Sequence, residues 1–314
     1  MVRVRDIGEF GLIRRIEGLA RGVPASGVVL GVGDDAALLR PRAGEDLVVS
    51  TDAAVEGVHF RLDQETPRTV GRRSLAAGLS DLAAMGARPL GFTFALAAPQ
   101  ETRVATILSL ARGMLDLALR YGAPLVGGNV TRARELQVTL TVLGAVRRGR
   151  ALRRDRARAG DEVFVTGALG QQALERARGR IRHVPEPRLA AGRKLARLPG
   201  VGACIDVSDG LLADLRQLGQ ASQVGVDLDA ASVPRPRGYA AACRRAGVDP
   251  EALALTGGED YELCFTLRRG ASPGGPRLTR RLGLPVARVG RIAATPGLRG
   301  APASVRGRLG WEHF

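Results

Sequence analysis

The stretch Asp46-Leu-Val-Val-Ser-Thr-Asp52 runs from apolar, β-forming residues into two hydroxyls and a carboxylate. Val28-Val-Leu-Gly-Val32 leads into Gly33-Asp-Asp35 in the same way, and Ala203-Cys-Ile-Asp-Val207 leads into Ser208-Asp-Gly210. Each reads as a short strand that delivers acidic side chains into a turn. Further strands are expected over 92–97, 125–129, 136–146, 162–166 and 261–267. Leu75, Leu79, Leu82 and Met85 recur at helical spacing within 70–87, where Gly86 and Pro89 end the helix. Residues 104–121 form a long amphipathic helix, 211–222 another, and Gly167-Ala-Leu-Gly170 leads into a third. Phe10, Ile13 and Ile16 predict a helix near the start of the chain. Strands mixed with helices in both halves give an α/β or α+β protein. The polar, arginine-rich segment 147–160 is the expected boundary, with one domain over 1–148 and a second over 149–314. A length of 314 residues fits two domains at roughly 100–200 residues each.

A hydrophobic share of 45% and a charged share of 25% suit a soluble globular chain that needs no disulfide staples. No apolar run reaches the roughly 18 residues of a membrane span. The start, Met1 to Asp6, has charges but no apolar stretch behind them, unlike a signal peptide. Cys204, Cys243 and Cys264 form no CxxC pair and are odd in number, which argues against a disulfide framework and a zinc site. A cytoplasmic location is expected, without a membrane partner. The net charge of +16 raises a nucleic-acid-binding reading. Against it, the arginines are spread along the chain and aromatics make up only 4%, leaving few stacking platforms. No nucleic-acid partner is expected.

Asp34, Asp35, Asp52, Asp206 and Asp209, with Glu259 and Asp260, fall at strand-to-turn junctions, while Asp81 lies on a helix. One such residue is ordinarily a cap or turn former. Repeated, they suggest grouped negative charge that needs cations, since neighbouring carboxylates do not all ionise unaided. Oxygen-only ligands favour magnesium. Histidine is too scarce for a typical zinc site: His59, His183 and His313 are the three present. No GxxxxGK[ST], completed GxGxxG or GxSxG motif occurs, which excludes a Walker-type loop and leaves a dinucleotide site unsupported. Phosphates would then be carried by metal bridges and backbone amides.

Gly31-Val-Gly-Asp-Asp-Ala-Ala-Leu-Leu39, Ser50-Thr-Asp-Ala-Ala-Val-Glu-Gly-Val-His-Phe60, Leu79-Ser-Asp-Leu-Ala-Ala-Met-Gly-Ala87, Ile205-Asp-Val-Ser-Asp-Gly-Leu211 and Leu255-Thr-Gly-Gly-Glu-Asp-Tyr-Glu-Leu263 resemble the thiamine-monophosphate kinase family in sequence and order. The ending Gly310-Trp-Glu-His-Phe314 does too. The wider superfamily includes aminoimidazole ribonucleotide synthetase, selenophosphate synthetase and a hydrogenase-maturation dehydratase.

The resemblance implies the two-domain aminoimidazole ribonucleotide synthetase-like fold, with an N-terminal sheet domain that pairs in a homodimer and binds metal and ATP, and a C-terminal α/β domain. It implies several magnesium ions, held through Asp35, Ser50, Thr51, Asp52, Asp81, Asn129, Asp206 and Asp209. It places ATP near Tyr121, Gly128, Asn129, Arg154 and Ser208, and thiamine monophosphate near His59, Glu259 and Trp311. One departure stands out: Gly127-Gly-Asn-Val130 occupies the place of the family's Gly-Gly-Asp-Thr. Asn129 can ligate through its amide oxygen but brings no charge, so weaker binding of one ion, or a shifted metal preference, is expected.

The implied reaction is phosphorylation of thiamine monophosphate by ATP, giving thiamine diphosphate. The acceptor phosphate is already an anion near neutral pH, so no protein nucleophile or base is called for. Positioning and charge neutralisation would carry catalysis. The nearest rivals are another ATP-using member of the superfamily acting on a different small molecule, and a basic nucleic-acid-binding protein.

Overall fold

The computed structural model describes residues 2–272, 274–305, 307, 310 and 311. The chain divides into two compact units, one built from Met1–Leu82 with Arg88–Arg148, the other from Ala83–Ala87 with Gly149–Phe314. Among the described residues no helix is long and apolar enough to cross a membrane.

The first unit contains α1 (Val4–Ala20), β1 (Val28–Leu30), β2 (Leu38–Leu39), β3 (Glu45–Val55), α2 (Pro67–Ala84), β4 (Arg88–Ala98), α3 (Val104–Tyr121), β5 (Leu125–Arg132) and β6 (Gln137–Arg147). A four-stranded sheet runs β3-β6-β4-β5, antiparallel except between β4 and β5. Thus β3 and β5 are its two edges. On β6, Val138, Leu140 and Val142 are buried at alternate positions, as a half-covered strand requires. On α2, Leu75, Leu79 and Leu82 are fully buried. The helix packs on the sheet through Gly78, where a Cβ would lie 2.7 Å from Val142 Cγ1. α2 and α3 also meet at glycine: a Cβ on Gly71 would lie 2.0 Å from the Leu110 carbonyl oxygen, and one on Gly113 would lie 2.1 Å from that of Arg68. Backbone-to-backbone contact fixes the crossing, and Arg68 and Arg72 clamp it by donating to Asp116, each at 2.8 Å.

The N-terminal helix forms where Phe10, Ile13 and Ile16 predict it, but Phe10 is off its inward face. Phe10 is 71% exposed, whereas Leu12 and Ile16 are buried. These two, four residues apart, define the inward face, and Phe10 lies roughly 200° round the helix from Leu12. Gly8, at φ 64°, breaks the first turn.

The second unit contains β7 (Glu162–Thr166), α4 (Gln171–Ala177), α5 (Leu189–Leu195), β8 (Val201–Asp206), α6 (Leu211–Ser222), β9 (Gly225–Leu228), α7 (Tyr239–Arg245), α8 (Pro250–Thr256), β10 (Leu263–Leu267), α9 (Gly275–Leu282), β11 (Val286–Ala293) and β12 (Gly297–Arg299). Its sheet runs β12-β9-β11-β7-β10-β8, with only the β12–β9 pair parallel. Val163, Val165, Ile205, Cys264, Val289 and Ile292 from the sheet pack with Leu211, Leu212, Leu215 and Leu218 of α6. All three cysteines are buried and unbridged.

Asp260 is buried among these elements and accepts from the Gly170 amide at 2.6 Å, at the start of α4. Burial pushes its carboxyl up to about 7. The folded protein therefore keeps this proton up to about pH 7, whereas an unfolded aspartate loses it near 4. Stability must fall as the pH rises through that window.

Two stability measurements follow. Gly71→Ala should lower the unfolding free energy by about 3 kcal/mol in urea denaturation, because backbone must move. Gly18→Ala, at an exposed helical position with nothing within 4 Å, should raise it by about 0.8 kcal/mol. Wild-type stability should decline from pH 5 to pH 8, and Asp260→Asn should flatten that decline. An equal slope in the variant would exclude Asp260 as its source.

Candidate functional site

The first unit's candidate residues cluster on β3 and the helix above it. The face of β3 turned to α2 carries Val48, Ser50, Asp52 and Ala54, all half-buried, while Leu47, Val49, Thr51 and Ala53 on the other face are exposed. This reverses the usual pattern, since polar groups point inward and Leu47 and Val49 stand 51% and 55% exposed. The inward pair has a partner: Ser50 Oγ donates to Asp81 Oδ2 at 2.5 Å. Asp81 lies one turn beyond Gly78, and a Cβ on Gly78 would lie 3.6 Å from Asp52 Oδ2. The glycine lets α2 approach closely enough to set Asp81 against Ser50.

Other candidates stand apart from that cluster. The Thr51 hydroxyl faces the opposite way and pairs with Thr141 Oγ1 at 2.9 Å. Asn129 lies on β5, in the row Ala53–Thr139–Ala95–Asn129 across the sheet. Three strand spacings of about 4.8 Å separate it from β3, so the unit does not bring Asn129 to Asp52. Neighbouring Gly128 has no room for a side chain: its Cβ would lie 2.1 Å from the Phe94 carbonyl oxygen. Asp35 is in the exposed loop between β1 and β2, its amide donating to Asp34 Oδ1 at 2.8 Å. Tyr121 ends α3 with the Arg120 guanidinium 5.4 Å above its ring. His59 is tied to the end of β3: its Nδ1 accepts from the Val55 amide at 3.1 Å, and its own amide donates to the Val55 carbonyl at 2.9 Å. That bond places the neutral ring's proton on Nε2.

In the second unit, β8 ends on buried Asp206, and the turn Ser208-Asp209-Gly210 leads into α6. The turn resembles an anion cradle, with successive amides pointing one way. Its occupant is internal. Asp214 Oδ2 accepts from the amides of Ser208, Asp209 and Gly210 at 3.1, 3.3 and 3.2 Å. Burial, then the charges of Asp206 and Asp209, push the Asp214 carboxyl well above the usual aspartate range. These amides are therefore committed to Asp214 and are not free to cradle an outside anion. The Ser208 carbonyl is also engaged, accepting from the Glu259 amide at 2.8 Å.

Asp209 is joined to Arg154 through a residue that sequence reasoning passed over. Gln217 Nε2 donates to Asp209 Oδ2 at 3.1 Å, and Arg154 Nη1 donates to Gln217 Oε1 at 3.0 Å. Asp214 and Gln217 are three apart on α6 and so share a face. An acid in the first turn after Ser-Asp-Gly was the available signal for Asp214; nothing marked Gln217. Glu259 is ion-paired with Arg176. It and Tyr261 hold left-handed backbone at φ 66° and 50°, on either side of the capping Asp260. Trp311 is half-exposed, and its amide donates to the Asp209 carbonyl at 3.0 Å. Glu312, His313 and Phe314, the rest of the tail motif, lie outside the described residues.

The donor chemistry suits magnesium. Among the described residues, Ser50, Asp52 and Asp81 in one unit and Asp206, Ser208 and Asp209 in the other present oxygen donors. Among the described residues, no three His, Cys, Asp or Glu side chains converge as a finished cage. Magnesium at nucleotide sites is ordinarily held by one or two carboxylates, with waters and substrate phosphates supplying the rest.

The family described as AIR synthase related protein, N-terminal domain, matches residues 33–146. A thiamine-monophosphate kinase of Mycobacterium tuberculosis is 41% identical, over 89% of this chain and 86% of that protein. The crystal structure of thiamine-monophosphate kinase from Stenotrophomonas maltophilia K279a superposes with a TM-score of 0.81 at 38% identity, over 95% of this chain and 98% of that one. The structure of AaThiL complexed with AMPPCP and TMP superposes with a TM-score of 0.75 at 27% identity, over 100% and 99%. With identity of this order over nearly its full length, and the motifs in place, the chain belongs to the thiamine-monophosphate kinase family.

Proposed function

We propose that this chain phosphorylates thiamine monophosphate with ATP, giving thiamine diphosphate by in-line transfer. The supporting observation is the inward-facing polar set on β3 and α2, where Ser50 and Asp81 meet beside Asp52. Such groups under a helix need hydrogen bonds or a paired charge, and two carboxylates beside a hydroxyl supply the oxygen donors that a hard cation takes. The relative solved with AMPPCP and TMP supports the choice of substrates.

Ser50, Asp52 and Asp81 hold magnesium in the first unit, with Asp35 from the neighbouring loop. Thr51 contributes through its main chain, since its hydroxyl faces Thr141. Asp206 and Asp209 hold magnesium in the second unit. The ions, when bound, supply charge neutralisation between donor and acceptor phosphates. Arg154, Ser208 through its hydroxyl, Tyr121, and the Gly128–Asn129 strand contact ATP. Asn129 holds its ion more weakly than a carboxylate would. His59, Glu259 and Trp311 contact thiamine monophosphate. For Trp311 the chemistry is stacking or a cation–π contact with the thiazolium. The acceptor is already an anion, so the protein positions the phosphates and moves no proton. The N-terminal domain, 1–148, also dimerises. Leu47 and Val49 on the exposed sheet face are the apolar surface a second copy would cover. The enzyme works in the cytoplasm.

Purified protein given ATP, magnesium and thiamine monophosphate should form thiamine diphosphate and ADP, followed by chromatography. Turnover of a different acceptor in place of thiamine monophosphate would refute the reading. Asp81→Asn should reduce kcat at least about 100-fold with the fold retained by circular dichroism. A wild-type rate would remove Asp81 from the site. Deleting residues 311–314 should raise the KM for thiamine monophosphate more than that for ATP, in steady-state kinetics. Equal or unchanged constants would remove Trp311.

A further inference from the structure

Gln217 makes two hydrogen bonds of opposite sense at one amide. Its oxygen accepts from Arg154 and its nitrogen donates to Asp209 Oδ2. Only this orientation works, because the flipped amide would set its NH2 against a guanidinium and its oxygen against a carboxylate. Neither a carboxylate nor an ammonium can replace it, since each would satisfy one neighbour and repel the other. α6 also holds Arg154 from a second position: Ser222 Oγ donates to the Arg154 carbonyl at 2.6 Å and accepts from the Ala157 amide at 3.0 Å. The main chain of Arg154 is thus fixed by Ser222, and its guanidinium is aimed by Gln217.

We propose that Gln217 is a positioning residue that couples the nucleotide-contacting arginine to the cation-holding carboxylate. The inference rests on the functional reading of Arg154 and Asp209 given above. By donating to Oδ2, Gln217 fixes the rotation of the Asp209 carboxylate and leaves Oδ1 to face a cation. By accepting from Nη1, it holds the guanidinium at the distance the same carboxylate sets. Polar partners of this kind, one step behind a metal ligand, are worth about 10–100-fold in metal affinity.

Trp311 provides a local reporter. It is the chain's single tryptophan, and its amide is bonded to the Asp209 carbonyl. Mn2+ alone, titrated without nucleotide, should quench its emission, because a paramagnetic ion held by Asp209 is close by. Gln217→Ala should shift the half-quenching concentration upward about tenfold. Gln217→Met, which fills the same space without donor or acceptor, should do the same. Ser222→Ala, which touches Arg154 but not Asp209, should leave the concentration unchanged. In turnover, Gln217→Ala should raise the magnesium needed for half-maximal rate and leave the KM for thiamine monophosphate within about twofold.

An unchanged Mn2+ midpoint in both Gln217 variants would overturn the proposal. So would an equal shift in Ser222→Ala, which would reduce Gln217 to a packing role. If wild type shows no Mn2+-dependent quenching, the coupling fails with the cation site. If wild type binds Mn2+ with the expected Gln217 dependence yet makes no thiamine diphosphate, the functional reading fails and the coupling stands.

Discussion

The hydrogen bond from Ser50 to Asp81 requires α2 to lie close over the side chains of the edge strand β3. Gly78 makes that approach possible, and the arrangement of the first unit follows from it. With a side chain at Gly78, α2 would be lifted off β6 and Asp81 would lose Ser50. With α2 in place, Ser50 and Asp52 face it between Val48 and Ala54 on the inward side of β3. Leu47 and Val49, at the alternate positions, stand on the outer face. One close contact thus sets the Ser50–Asp81 pair beneath the helix, while the strand's alternation leaves an apolar surface on the other side of the sheet.

The second unit solves a different problem. Three aspartates, Asp206, Asp209 and Asp214, crowd one strand end and its turn, and their charges oppose one another. Asp214 is drawn inward by three amides and so shapes the turn. Asp209 is left outside, steadied by Gln217 and, through it, by Arg154. The division of labour is physical. A buried carboxyl can satisfy amides because they come from a rigid turn, while a half-exposed one remains available to a cation. The Trp311 amide closes on the same turn, which connects the tail to the residues around Asp209.

Much of this was legible in the sequence, with instructive exceptions. Leu75, Leu79 and Leu82 fell at helical spacing and are buried on α2, and the strand expected over 136–146 is β6. The acidic strand ends were visible because charge beside Gly, Ser or Thr after an apolar run is locally marked. Phe10 misled because helical spacing identifies a face without saying which face is buried. β9, β11, α7 and α9 escaped notice, since arginine-rich stretches such as Val286–Ala293 show weak alternation and their strands are specified by tertiary pairing. The cap at Asp249, which accepts from the amides of Glu251 and Ala252, was a local signal for α8 that could have been used. Gln217 could not have been found, because its role depends on two partners 63 and 8 residues away. The separation of Asn129 from β3 was likewise hidden until strand order was known.

Crystals grown with Mn2+ and a non-hydrolysable ATP analogue would test the placement of the cations most directly. Anomalous difference peaks should lie about 2.1 Å from carboxylate oxygens of Asp52 or Asp81 and of Asp209. Nucleotide bound with its metal elsewhere, and with these carboxylates bare, would contradict it.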